Sequence, residues 1–120
     1  MGGMLALVSA TPAQSSGDAY HLQQADDWMH HVARQLNQAA KQSPKWHSKR
    51  EHVQSHVHDI GLLLDLAWQA ERRSDREAAE AHVRQVLALI KRAIRKEYLR
   101  EKDLAPTLTM IRQRWPQVAI

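Results

Sequence analysis

Apolar residues recur at intervals of three and four along most of this 120-residue chain, the spacing that places them on one face of an α-helix. The first such stripe runs through Ala25, Trp28, Met29, Val32, Leu36 and Ala40, with Asp18 as a candidate cap and an end near Lys41. Gln42-Ser43-Pro44 then breaks the pattern: Ser43 suits an N-cap, and Pro44 suits a first helical turn, where its missing N–H costs nothing. A second stripe follows through Val53, Val57, Ile60, Leu64, Ala67 and Trp68, with Leu63 on its flank. Gly61 interrupts it at a cost of about 1 kcal/mol relative to alanine, which close packing of a neighbouring helix would explain.

Ser74-Asp75-Arg76-Glu77 reads as a capping box opening a third helix, whose stripe is Val83, Val86, Leu87, Ile90, Ala93, Ile94 and Tyr98. Asp103 is the expected start of a short fourth helix, lined by Leu104, Leu108, Ile111 and Trp115 and stopped by Pro116. Short connections between long helices favour antiparallel neighbours. The pattern therefore predicts an all-α, antiparallel up-down four-helix bundle of three long helices and one short one, spanning residues 18–116. Residues 1–17 and 117–120 are expected to be tails, the first flexible.

Cysteine is absent, which excludes a disulfide framework, a thiolate metal site and a cysteine nucleophile. The opening Met1–Ala10 segment looks like a clipped signal peptide but lacks a basic leader and a long apolar run. No other stretch approaches the roughly 18 apolar residues a membrane span needs, so no membrane contact is expected, and for a chain without cysteine the cytoplasm is the default expectation. Charge is uneven. Residues 1–40 carry Arg34 against Asp18, Asp26 and Asp27, so 16 of the 17 Lys and Arg residues lie beyond them.

At about 100° per residue, Arg84, Lys91 and Arg95 of the third helix fall in one line, and Arg92 and Lys96 continue it outward. Arg72, Arg73 and Arg76 at the preceding corner, with Lys45, Lys49 and Arg50 before the second stripe, widen this into a candidate surface for a nucleic-acid backbone. The competing reading is a solvated face with local pairs such as Glu80 with Arg84, each worth a few tenths of a kcal/mol. Trp46, between Lys45 and His47, is the one tryptophan off the apolar stripes; it is a candidate for stacking on a base or for a staple at the start of the second helix.

Four of the eight histidines, His47, His52, His56 and His58, crowd the start of the second helix. His52 and His56 are four apart and offer half of a zinc or nickel site, with His30, His31 or Asp59 to complete it. The glutamate of His-Glu-x-x-His is missing, and no metal or other cofactor is expected in the leading reading. Arg50 to His56 and Arg76 to His82 match the Arg-x(5)-His spacing of HEPN-type helical ribonucleases, but glutamate follows each arginine where that family has a small polar residue. No catalytic constellation stands out, and the protein is read as a non-enzyme.

From Ser43 to Trp115 the layout resembles the accessory variability proteins of diversity-generating retroelements and the related four-helix-bundle proteins encoded by ribosomal-RNA intervening sequences. The residues that carry the likeness are Pro44-Lys45 with Arg50, Ser74-Asp75-Arg76, the run Ala88 to Arg95, and Ile111 with Trp115. Arg112-Gln113-Arg114 stands where that family has a glycine-containing run. The resemblance implies a homopentamer that binds nucleic acid and a reverse transcriptase, without catalysis of its own, with Arg84, Lys91, Arg92 and Arg95 as contact residues. A protein-interaction module whose charges serve only solubility is the alternative from a different class.

Overall fold

A computed structural model describes residues 16–118, with side chains from Asp27 onward. Four α-helices make up the regular structure: α1 (Ser16–Lys41), α2 (Arg50–Arg72), α3 (Arg76–Arg95) and α4 (Glu101–Arg114), and there is no strand among the described residues. The chain divides into two compact units, Met1–His31 and Val32–Ile120. In the first, the described side chains are Asp27 to His31, of which Trp28 and Met29 are half-buried and the others exposed. Ala25 lies outside the described side chains, and residues 1–15 of the expected tail lie outside the described residues.

The second unit holds the core. Val32, Leu36 and Ala40 of α1 are buried, as are Val53, Val57, Ile60, Leu64, Ala67 and Trp68 of α2, so the period of three and four located the inner faces. On α3 the buried set is Ala79, Val83, Val86, Ile90 and Ala93, while Leu87 and Ile94 are half-buried at its margin. Leu104, Ile111 and Trp115 complete the core from α4. Thr107 is fully buried, and its hydroxyl donates to Gln35 Oε1 at 2.9 Å, which satisfies a polar group that α4 brings inside with its apolar residues. Arg114 fastens the far end of α4 to α2: its Nε donates to Glu71 Oε1 at 3.0 Å, and its guanidinium carbon lies 3.6 Å from the Trp68 ring centroid.

Helix boundaries depart from the sequence reading at five places. First, α1 begins at Ser16, so Asp18 lies inside the helix rather than at its cap. Ser43 caps only a single turn, its Oγ accepting from the Lys45 N–H and its carbonyl from the Trp46 N–H, and α2 begins at Arg50 after further turns. Asp75, not Ser74, is the N-cap of α3, accepting from the Ala78 N–H at 3.1 Å. Ser74 instead occupies a left-handed conformation (φ 63°) in a Schellman ending of α2, where the Ser74 and Asp75 N–H groups donate to the Glu71 and Ala70 carbonyls. The same ending recurs after α3: Glu97 is left-handed (φ 63°), and the Glu97 and Tyr98 N–H groups donate to the Ile94 and Ala93 carbonyls. Tyr98 therefore lies beyond α3 rather than on its stripe, and Leu99 turns into the core. Lastly α4 starts at Glu101, with Asp103 in its first turn held at 2.7 Å by Arg100 Nε.

Gly61 is not required by close packing. A methyl group placed there would meet Leu36 Cδ1 at 3.7 Å, an ordinary van der Waals distance. Gly61→Ala should therefore stabilise the protein by about 1 kcal/mol, the helix-propensity difference, and raise Tm by about 4–8 °C. Thermal unfolding followed by circular dichroism checks this; a lowered Tm would mean that the neighbouring helix needs the gap.

Candidate nucleic-acid interface

The cations of α3 divide by position along the helix. Its first half carries Glu77 and Glu80 among its charges, whereas from Val86 to Lys96 there are Lys91, Arg92, Arg95 and Lys96 and no carboxylate. All four are exposed. Arg84, Lys91 and Arg95 lie on the side of the helix turned away from the buried Val86–Ile90–Ala93 face, so the line expected from the 100° rule is outward-facing. Arg84 differs from the others in having a carboxylate neighbour, Glu80 Oε1 at 3.7 Å, an exposed pair of small energetic weight. Among the described residues, Lys91, Arg92 and Arg95 form no ion pair. Arg92 and Arg95 sit in the last turn, where positive charge also offsets the carbonyl end of the helix dipole.

Of the flanking cations, the structure brings one group to this end of α3 and leaves the other at the far end. Lys45 crosses from the segment before α2, and its Nζ donates to the Lys96 carbonyl, the C-cap of α3, at 2.9 Å. Lys49 and Arg50 follow it in the chain, both exposed. Arg72, Arg73 and Arg76 are exposed too, but they flank the start of α3, about 30 Å from its end for a helix of 20 residues. The sequence reading joined them into one patch; helix geometry makes them two clusters linked by the outer line of α3. The reach of Lys45 across 51 positions had no signal in the sequence.

Two aromatic rings lie in the cluster at the end of α3. Tyr98, half-buried, has the His56 ring at 4.9 Å, the His52 ring at 5.6 Å and Lys45 Nζ at 5.4 Å from its centroid. His56 Nδ1 lies 2.9 Å from the His52 carbonyl, a distance at which the ring donates to it. Trp46 is half-buried beneath Arg50, whose guanidinium carbon lies 4.5 Å from the indole centroid. His52 and His56 are thus packed around a phenol, and among the described residues no group of three or more His, Asp or Glu side chains gathers as a metal site. In the two Arg-x(5)-His stretches, Arg50 lies on Trp46, His56 on Tyr98, and His82 Nδ1 lies 3.1 Å from Gln85 Oε1. Among the described residues, no helix is long and apolar enough to cross a membrane.

Comparison with protein-family models, with curated proteins and with solved structures finds no match to this chain.

Proposed function

We propose that this protein is a non-catalytic, antiparallel up-down four-helix bundle that binds the phosphate backbone of RNA or DNA through the outer face of α3. The observation that carries the reading is the run Lys91, Arg92, Arg95 and Lys96, exposed, uninterrupted by a carboxylate and extended by Lys45 from a different part of the chain. Multiple cations aligned along a rigid helix are suited to neutralising successive phosphates, which yields affinity without sequence readout. The up-down order is supported by contacts at both ends: His52 and His56 near the start of α2 meet Tyr98 after α3, and Arg114 at the end of α4 meets Glu71 at the end of α2. The sequence resemblance to retroelement accessory proteins adds a role beside a reverse transcriptase, as a homo-oligomer of five, to the same proposal, with the cytoplasm as its location.

Fluorescence anisotropy with labelled RNA and duplex DNA of unrelated sequences tests the binding claim. Comparable affinity for all of them at low salt is the expected outcome, and no binding to any of them would overturn it. A second reading, a protein-interaction module, draws on Leu62 and Leu66 of α2, which are 49% and 37% exposed one helical turn apart. Two leucines form a smaller apolar feature than a stable interface requires, so the cationic face carries the first reading.

A further inference from the structure

We propose that the cluster where the segment before α2 meets the end of α3 is a stacking site for unpaired bases, which gives the protein a preference for single-stranded over duplex nucleic acid. This inference rests on the backbone-binding reading above and assigns the substrate class of its α3-terminal end. A row of lysines and arginines attracts duplex and single strand, because both offer phosphates, and the denser charge of the duplex means that such a row gives no preference for the single strand. Aromatic and guanidinium planes distinguish them, since only an unpaired base is free to leave its own stack and lie against another flat surface.

Both kinds of plane occur here among cations. Arg50 is exposed with its guanidinium over the Trp46 ring, 4.5 Å from the centroid, so a base laid on that guanidinium extends a stack already anchored in the protein. The Tyr98 ring is lined by the His52 and His56 imidazoles, which offer further flat surface, the His56 ring being fixed by its Nδ1–H to the His52 carbonyl. Lys45 supplies charge at the same place. Its ammonium uses one donor on the Lys96 carbonyl and lies 5.4 Å from the Tyr98 centroid, leaving donors for a phosphate. At the opposite corner, Arg72, Arg73 and Arg76 are exposed, and the guanidinium that lies on a tryptophan there, Arg114 on the buried Trp68, is held by Glu71, so that plane is committed to the fold.

The test compares Trp46→Ala with the wild-type full chain, by anisotropy, on a 15-nucleotide single-stranded RNA, the matching DNA strand and the duplex. Loss of the indole that anchors the Arg50 guanidinium plane should weaken single-strand binding about tenfold while duplex affinity stays within about twofold. Trp46→Phe, which keeps a ring, should retain single-strand affinity, and the tryptophan quenching that single strands cause in the wild type should be lost in it. Should Trp46→Ala fail to fold, Trp46→Phe decides by its quenching alone. Wild-type binding to all three probes with equal affinity, an equal effect of Trp46→Ala on single strand and duplex, or quenching that persists in Trp46→Phe, would overturn the stacking site while leaving the backbone reading intact. Absence of wild-type binding to every probe would overturn both.

Discussion

Replacing Lys91, Arg92 and Arg95 together with glutamate is expected to weaken binding to RNA and to duplex DNA at least about 100-fold at 0.1 M salt, for every sequence tested. These three are exposed and, among the described residues, unpaired, so their charges are available to phosphates rather than spent on neighbouring carboxylates. Reversal not only removes the attraction but sets three negative groups where phosphates would lie. Arg84 is left out of the set because Glu80 already shares its charge. Glutamate in the last turn of α3 is also unfavourable toward the helix dipole, by about 0.3–1 kcal/mol per residue near the terminus. The corresponding triple glutamine variant separates the two effects: it should lose most of the affinity with little change in Tm. Undiminished binding by both folded variants would place the interface elsewhere.

The largest effect on stability is expected from Ile111→Ala, at about 2–5 kcal/mol. Ile111 is fully buried on α4, a helix of 14 residues that the rest of the core must hold in place. Removing its outer carbons leaves a cavity in the layer that Leu104 and Trp115 also occupy, against a total stability of about 5–15 kcal/mol for a domain of this size. The measured drop in Tm should be at least about 10 °C. An outcome of this size would show that α4 is integral to the cooperative unit; a drop of a degree or two would mean that α4 frays independently of the other helices. Arg114 has a lesser part, because its pairing with Glu71 is partly exposed and its stacking on Trp68 adds about 0.5–1 kcal/mol.

The inner faces of the helices were legible in the sequence because a period of three and four is a direct image of burial on one side of a helix. Val53 through Trp68 and Val83 through Ala93 show this most clearly. The ends were harder. Ser74 and Asp75 are both good capping residues, and which one caps is decided by the left-handed turn at Ser74, a conformation that glycine usually announces and serine does not. Glu97 hid the end of α3 in the same way and so left Tyr98 counted as helical. Glycine at position 61 suggested close packing, yet the gap to Leu36 is large enough for a side-chain carbon.

The candidate interface was legible to the extent that it lies on one helix. The outward line of Arg84, Lys91 and Arg95 follows from backbone geometry alone. Contacts between elements carried no such periodicity: nothing local to Lys45 points to Lys96, and nothing local to His52 or His56 points to Tyr98. The sequence therefore listed the exposed cations but merged the corner at Arg72–Arg76 with the end at Lys96, which the length of α3 separates.

Wild-type affinity for one duplex, measured between 50 and 200 mM salt, bears most directly on the claim that aligned cations of α3 engage phosphates. With about four phosphate contacts, log K should fall against log[salt] with a slope near −3.6, so that affinity drops roughly 100-fold across the range. A slope near zero would contradict the account, because binding that does not displace counterions is not made by these lysines and arginines.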